Sequence, residues 1–527
     1  VRAGDLSARA EDQRRVDREI PARRGSIVTR DQRDLAAGRP ALLVTADPAQ
    51  IHDPVAAARA LAPVLDRPAD DIHNQLTRRS RYEVLRRALS ADREKELKDL
   101  KIEGVTAADV EERFYPLRRV GSQLVGFTGD DGTGIAGLEL QLDRYLTGRP
   151  GRRVELRDAF AEPLRVLTDK PPVDGTNVHV TIDSAIQAYA ENVLATTRKS
   201  YGAASASAIV MRPSDGAIYA MATVPRFDPN DRREIPEDAV ANRPVVHVFE
   251  PGSTFKIVSI AGAIEEGLVT PETRFDLPTV YTRYKDTPDE TSLRDAHERP
   301  PVRWTVAEIL KKSSNIGTVK IAERLSDDHG RLQRWIERFG FGVKTGVDFP
   351  GEVKGIMVPS SEWSGVSILN VPIGQGISAT LVQMARAYAV LANGGRLVTP
   401  HFVSRIGDRA VRPKPGPRIV SERTARLMTG MLKGVVSEDG TGAEAEIPNY
   451  DVAGKTGTSN KIADDGTYDK SRYWASFIGY LPAENPRLLV AVLVDEPGGG
   501  HIYGGDVAAP AFEQIAKFAI TRLGISP

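Results

Sequence analysis

The chain of 527 residues contains no cysteine, which excludes disulfide staples and thiolate metal sites and leaves the redox compartment open. Its 8 histidines are scattered without H-E-x-x-H or any other ligand spacing, so neither a metal nor a cofactor is expected. Charge of one sign is lacking too. Lysine plus arginine and aspartate plus glutamate each number 71, and a net charge of zero gives no basic excess for nucleic acid or an anionic membrane face. Long apolar runs are also missing. The longest, such as Leu488 to Val494, fall far short of the roughly 18 residues that a bilayer span needs, and no signal peptide is visible. At 41% hydrophobic, the chain is long enough for two or three domains with real cores.

What is present is a set of parts for attack on an amide through a serine ester. In Glu250-Pro251-Gly252-Ser253-Thr254-Phe255-Lys256, a Pro-Gly turn delivers the chain into a helical pattern of apolar residues at Phe255, Ile257, Val258, Ile260, Ala261 and Ile264, closed by Gly267. Ser253 is expected to start that helix, with Lys256 one turn on and on the same face. A serine hydroxyl is a weak nucleophile until a neighbour takes its proton. Lysine can do so only if burial or nearby cations keep its amine neutral well below its free pKa of about 10.4. Serine is also a favoured helix N-cap, so the pair gains its meaning from company.

That company is an S-x-N and a K-T-G. Thr305-Val306-Ala307-Glu308 reads as a capping box opening a short helix, and Lys312-Ser313-Ser314-Asn315 breaks it before the next apolar-periodic run, Ile316 to Leu325. Ser313 and Asn315 are expected on a loop between two helices, where a serine can shuttle a proton and an asparagine amide can hold a peptide group. K-T-G occurs twice. Lys344-Thr345-Gly346 sits in a Gly-rich turn without strand signal, whereas Lys455-Thr456-Gly457-Thr458 precedes two strand-like runs, Tyr473 to Tyr480 and Arg487 to Val494. The second copy is read as the site. There Lys455 offers a positive charge, Thr456 and Thr458 offer hydroxyls for a substrate carboxylate, and Gly457 gives the substrate backbone room. Tyr468, Tyr473, Trp474 and Tyr503 are placed near this motif, either to wall a cleft or to pack a core.

The order of these motifs resembles the penicillin-binding protein and serine β-lactamase superfamily. Further landmarks resemble the transpeptidase domain of its class B penicillin-binding proteins: Gly175 with Thr181-Ile182-Asp183 and Gln187, Phe227-Asp228-Pro229-Asn230, Phe341-Gly342, Gly374-Gln375-Gly376, Ala392-Asn393-Gly394-Gly395, Gly440-Thr441-Gly442 and Tyr503-Gly504-Gly505. Ile20 to Ile27, Arg113-Phe114-Tyr115-Pro116 and Gly137-Leu138-Glu139 are similar to the pedestal module that precedes that domain. One departure is Val28-Thr29-Arg30-Asp31-Gln32, in place of the usual aspartate-arginine-asparagine-glycine run, which touches a local turn.

The resemblance implies an α+β fold: a mixed α/β pedestal or dimerisation-type module over residues 1–170, then a serine β-lactamase/transpeptidase-like domain over 171–527. The sequence reads compatibly. Helical patterns run over Pro54 to Leu65, Ala91 to Leu100 and Asp183 to Thr197, and Thr168 to Gly175 has the residues of a linker. Ser205 to Val210 and Ala217 to Ala222 flank a turn as a hairpin, and Phe512, Ile515, Ala516, Ala519 and Leu523 share one face of a C-terminal helix. The sum is an antiparallel sheet of about five strands flanked by helices.

The resemblance also implies a peptidoglycan D,D-transpeptidase. Ser253 would be the nucleophile, Lys256 its base and Ser313 the proton relay, with Asn315, Lys455, Thr456, Gly457 and Thr458 completing the site. The backbone N–H groups of Ser253 and Thr458 would form the oxyanion hole. Stem peptides and β-lactams, the latter covalent at Ser253, would be its ligands, and a glycosyltransferase and division-complex proteins its partners through the N-terminal module. Class B members begin with one membrane helix, and the charged stretch Arg9 to Arg24 is of the kind that follows such an anchor. An extracytoplasmic enzyme with its anchor outside this sequence is therefore expected. The layout is most similar to septal transpeptidases, with elongation- and sporulation-type relatives and a β-lactam-binding scaffold or sensor as alternatives. A class A β-lactamase is about half this length, and no glutamate-bearing deacylation loop is assignable. A bifunctional enzyme would need a glycosyltransferase domain, and the N-terminal module shows no acidic pattern for one.

Overall fold

The run Leu488 to Val494 carries an apolar side chain at every position, the pattern of a strand buried on both faces. In the computed structural model it is the middle strand of a five-stranded antiparallel sheet. The structure describes residues 15–157, 163–231, 235–236, 239–283, 285, 291–325, 329–364, 366–463 and 465–527. The start of the charged stretch from Arg9 lies outside them. In chain order the strands are β1 (Ser205–Met211), β2 (Ile218–Val224), β3 (Ala453–Ile462), β4 (Tyr468–Leu481) and β5 (Leu488–Asp495). Across the sheet they run β2-β1-β5-β4-β3, which leaves the K-T-G strand β3 at an edge.

Alternation sorts the side chains into two cores. Val490, Val492 and Val494, with Val210 and Phe477, pack against helices α1 (Ser184–Ser200) and Gly504–Leu523. Leu489 and Ala491, with Ile209 and Ile478, face α2 (Lys256–Glu265) and Leu381–Ala392. Each large aliphatic side chain so buried contributes roughly 1.5–3 kcal/mol. The predicted hairpin and C-terminal helix form as read. At the far edge, the amide of Gln187 completes β2: it accepts from Met221 N–H at 2.8 Å and donates to Met221 O at 3.0 Å. A side chain thus satisfies an edge that would otherwise invite another strand.

A second sheet was not anticipated. It orders Arg409–Ala410, Val403–Ile406, Val178–Val180, Ile27–Val28, Asp34–Ala46 and Glu83–Ser90, with Val105–Phe114 also paired to Asp34–Ala46. Val403–Ile406 comes from the C-terminal half of the chain, so hydrogen bonds fuse the two halves. Residues 168–170 end the strand Pro163–Lys170 rather than open a linker, and Ala91 to Leu100 divides into a short 3-10 turn and the helix Glu94–Asp99.

Landmarks that lie far apart in sequence meet here. Glu139, fully buried, accepts from Arg24 Nε at 2.9 Å and Arg113 Nε at 2.6 Å, and Arg24 Nη1 also reaches Asp143 at 2.7 Å. Asn230 pairs with the backbone of Tyr115, accepting at 3.0 Å and donating at 2.9 Å. At the divergent turn, Gln32 takes φ 61°, a left-handed value that favours glycine, while Asp31 accepts from the backbone and hydroxyl of Ser184 at 3.0 and 2.6 Å.

Removing one member of a buried ion cluster strands the others. Glu139→Ala is therefore expected to lose roughly 3–5 kcal/mol in a urea titration. Arg39→Ala, which breaks the half-exposed pair with Glu112, should change the midpoint by less than about 1 kcal/mol.

Candidate active site

The nucleophile turn differs from the expected helix start in a useful way. Ser253 lies in a 3-10 turn, Gly252–Phe255, and the α-helix α2 begins at Lys256. Residues i and i+3 eclipse in 3-10 geometry, so Ser253 and Lys256 project to one side. Ser253 is partly exposed, whereas Lys256 is fully buried. The turn is built by close backbone approaches. Gly252 has φ 54°, and a Cβ there would stand 2.7 Å from Thr458 O. Its N–H donates to Gly374 O at 3.0 Å, and a Cβ on Gly374 would meet Gly252 O at 2.3 Å. Both glycines are thus required where nucleophile turn, G-Q-G loop and K-T-G strand converge.

The S-x-N turn faces the same lysine. The capping box at Thr305 opens α3 (Val306–Lys311) as predicted, and α4 (Asn315–Arg324) follows with Ser314 as its N-cap. Asn315 is therefore the first residue of a helix rather than a loop residue. Ser313 lies between the helices with φ 57°. The Lys256 amine donates to Ser313 O at 2.6 Å and Asn315 Oδ1 at 2.7 Å, and lies 3.3 Å from Ser313 Oγ. Burial pulls its pKa from 10.5 down to about 7, against the opposing charge of Asp295, which raises it. A neutral amine has two N–H groups, which match the two short bonds, and one lone pair for a hydroxyl.

On the edge strand, Lys455 is fully buried and donates to Thr456 O at 3.1 Å and Thr456 Oγ1 at 3.2 Å. Burial and the neighbouring Lys256 hold its pKa well below the ordinary lysine value. The Thr456 hydroxyl is buried and shared with Thr441 Oγ1 at 2.8 Å, and Thr458 Oγ1 accepts from Gly504 N–H at 3.1 Å. Where a Cβ on Gly457 would project, Ser476 Oγ, Pro251 O and Thr254 stand 2.5, 2.9 and 2.9 Å away. That glycine therefore makes room for the chain's own turn around Ser253. Ser459 Oγ completes the seam, donating to Glu250 O at 2.6 Å. The first K-T-G is a structural turn as read: Glu352 accepts from Thr345 N–H at 2.6 Å and Gly346 N–H at 3.1 Å.

Of the aromatic candidates, Trp474 packs against Phe249 and Lys461, and the Tyr468 hydroxyl turns to Glu250 at 3.3 Å. Tyr473 donates to Lys470 O at 2.5 Å. Tyr503 remains exposed, its ring 5.3 Å from that of His297, and so reaches from the K-T-G side toward the segment before S-x-N. Sequence reading missed Asp295, Glu250 and Thr441 as parts of the site. Thr441 lay within a quoted landmark, and Glu250 stood at the head of the serine motif. Asp295 had no motif around it.

Comparison with known proteins agrees with this geometry. Residues 206–517 match the penicillin binding protein transpeptidase domain, and residues 19–180 match the penicillin-binding protein dimerisation domain. The chain is 34% identical to stage V sporulation protein D of Bacillus subtilis, over 96% of this chain and 79% of that protein. It is 31% identical to peptidoglycan D,D-transpeptidase FtsI of Escherichia coli, over 97% and 85%. Penicillin binding protein 3 of Mycobacterium tuberculosis, solved with aztreonam, superposes with a TM-score of 0.75 at 30% identity, covering 97% of this chain and 98% of that one. The matching domains and the S-x-x-K, S-x-N and K-T-G convergence define a penicillin-binding transpeptidase. With the dimerisation domain ahead of it, the chain belongs to the class B penicillin-binding proteins.

Gly252→Ala tests the convergence. The left-handed φ and the contact with Thr458 O are expected to cost about 1–3 kcal/mol of stability. Labelling by a fluorescent penicillin should fall more steeply than the folded fraction, because the added methyl displaces Ser253 from β3.

Proposed function

We propose that the protein is a peptidoglycan D,D-transpeptidase of septal cell-wall synthesis, anchored at the extracytoplasmic face of the membrane. The observation that carries the chemistry is the Lys256 amine, drawn to a pKa of about 7 one 3-10 turn from Ser253 and held by the S-x-N turn. Ser253 Oγ attacks the carbonyl between the last two residues of a D-alanyl-D-alanine stem as its proton passes to Lys256. The backbone N–H groups of Ser253 and Thr458 hold the oxyanion. The C–N bond breaks as Ser313 relays the proton to the departing D-alanine amine, leaving a serine ester. An acceptor amine from a second stem then displaces Ser253, whose oxygen regains a proton, and the crosslink closes.

The fold supports a placement for the substrate. Among the described residues no further strand pairs with the outward edge of β3, so an extended peptide can add beside it. Lys455, Thr456 and Thr458 line that edge for its carboxylate, Gly457 lets the turn and strand close, and Asn315 holds its peptide group. A β-lactam follows the same course, except that its leaving nitrogen stays tethered.

Residues 1–170 serve as the pedestal, 171–527 as the catalytic domain. A groove of about 1020 Å³ among Arg24, Arg39, Glu111, Arg113 and Asp130 offers the pedestal a surface for a glycosyltransferase or division-complex partner. No helix among the described residues is long and apolar enough to cross a membrane. Similarity to FtsI supports the septal role, and the sporulation-type relative marks the alternative. Depletion in the source cell decides between them: filaments without septa support the septal role, and rounding or a sporulation defect alone rules it out.

The chemistry is tested by intact-protein mass after benzylpenicillin. One stable adduct is expected, absent in Ser253→Ala, while rapid hydrolysis with no adduct would mark a β-lactamase. Lys256→Met should slow acylation by about 10²- to 10⁴-fold.

The pH profile has a defined sign. The base must be neutral, so acylation should fall about tenfold per unit below pH 7 and level off above it. A rate independent of pH from 5 to 10 would rule out the lysine base.

A further inference from the structure

Ser313 is a non-glycine residue at φ 57°, a conformation costing roughly 1–2 kcal/mol that its surroundings must hold in place. The holding groups lie eighteen and nineteen positions earlier in the chain. The Asp295 carboxylate accepts from Ser314 Oγ at 3.0 Å from each of its oxygens, and from Ile316 N–H at 3.0 Å. Arg294 O accepts from Asn315 Nδ2 at 3.1 Å. Three successive residues after Ser313 are thereby fixed to one segment. The last bond also decides which end of the Asn315 amide faces the lysine. With its nitrogen spent on Arg294 O, its oxygen is turned to Lys256 at 2.7 Å.

Asp295 is itself oriented. Arg299 Nε donates to it at 2.8 Å and Nη2 lies 2.6 Å away, with side chains only 10% and 13% exposed for Asp295 and Arg299. The guanidinium stacks over Trp304 at 4.8 Å and donates to Leu277 O at 3.2 Å, which ties the pair to neighbouring strands. An aspartate built this firmly beneath a strained turn has more to do than neutralise an arginine.

We propose that Asp295, oriented by Arg299, is the positioning residue of the serine–lysine pair. It locks the S-x-N turn so that Ser313 O and Asn315 Oδ1 take the two N–H groups of neutral Lys256 and leave its lone pair for a hydroxyl. This rests on the transpeptidase reading. Two titratable groups face the Lys256 amine from the elements packed on it: Asp295, whose charge favours its proton, and Lys455 on β3, whose own pKa is lowered by burial and by Lys256. Ser313 and Asn315 are uncharged. Removing the Asp295 charge therefore has an effect opposite to that of simple damage, because it makes Lys256 easier to deprotonate.

The test is the rate of benzylpenicillin acylation against pH for wild type, Asp295→Asn and Asp295→Glu, with each rate normalised to the folded fraction by circular dichroism. Asp295→Asn is expected to lower the plateau by roughly 10- to 100-fold, the range of small misplacements at a reacting centre, and to move the acid limb to lower pH. Asp295→Glu keeps the charge, so its limb should stay near the wild-type position while its plateau still falls. If both variants lose stability yet their folded molecules acylate at the wild-type rate with an unmoved limb, Asp295 is a brace only and the proposal is overturned. Should Asp295→Asn not fold, Ser314→Ala removes the same hold while keeping the charge. A reduced plateau with an unmoved limb supports the proposal, and an unchanged rate overturns it. A wild type that forms no adduct would instead sink the transpeptidase reading on which the proposal depends.

Discussion

Taking the Lys256 amine out of water is the constraint around which the site is arranged. Lowering its pKa from 10.5 to about 7 corresponds to a penalty on the charged form on the order of 5 kcal/mol, at about 1.4 kcal/mol per unit. The sign matters. The penalty is complete below the folded value of about 7, fades as pH rises toward 10.5, and is absent above it, so the group adds stability with rising pH only across that window. The proposed base role gives this cost a use, because an amine that is neutral near pH 7 cannot be had from an exposed lysine. The oxygens of Ser313 and Asn315 take both N–H groups of the neutral amine, so burial of these donors carries no further debt.

Such a site needs a rigid mount, and the double-sided sheet provides one. β3 is an edge strand, yet it is fastened to its neighbour from Ala453 opposite Tyr480 through Thr458 opposite Ala475, and on to Ile462 opposite Tyr468 across a register shift. The turn around Ser253 packs on the same strand, through Gly252, Gly457 and the Ser459 hydroxyl. The glycines act by what they lack: without Cβ atoms, two backbones approach closely enough that a shift in one moves the other. Ser253 and the strand carrying Lys455 are consequently one unit.

Much of this was legible in the sequence. S-x-x-K, S-x-N and the second K-T-G come together, and the five strands, α1, α2 and the C-terminal helix lie close to where periodicity put them, whereas Leu381–Ala392 was not anticipated. Period-based reading worked because both faces of β5 are apolar and α1 and the C-terminal helix each bury an apolar face. It failed where long-range pairing decides the outcome. Nothing local in Val403 to Ile406 says that it joins the N-terminal strands, and the exact residue where Ser253's 3-10 turn becomes α-helix is set by packing against β3. Asp295 was illegible for the same reason, since its partners Ser314 and Ile316 are neighbours only after Thr291–Leu293 and α3 have been folded against each other.

The pedestal and the catalytic core are coupled by the same kind of long-range bond. Gly121 N–H donates to Glu191 at 2.8 Å, and Arg226 reaches the other oxygen of that fully buried carboxylate at 2.9 Å. Burial pushes the Glu191 pKa up, against Gln187, Arg226 and the Gly121 N–H, which pull it down, so both domains supply the groups that hold this carboxyl. Arg522 on the C-terminal helix meanwhile pairs with Asp183 at 3.1 Å and Asp31 at 3.3 Å. α1 carries Asp183 at its N-cap and Glu191 along its length, so this one helix is gripped by the N-terminal module at two points and packs its apolar face on the catalytic sheet. α1 is thus one path from the N-terminal module to the sheet, beside the strand pairing through Val403–Ile406 and the Asn230–Tyr115 contact. β1 and β2 lie beneath that helix, so this path enters the sheet at the edge opposite β3, while the core shared by Ile27, Leu138, Phe255 and Ile257 joins the module to the Ser253 turn more directly.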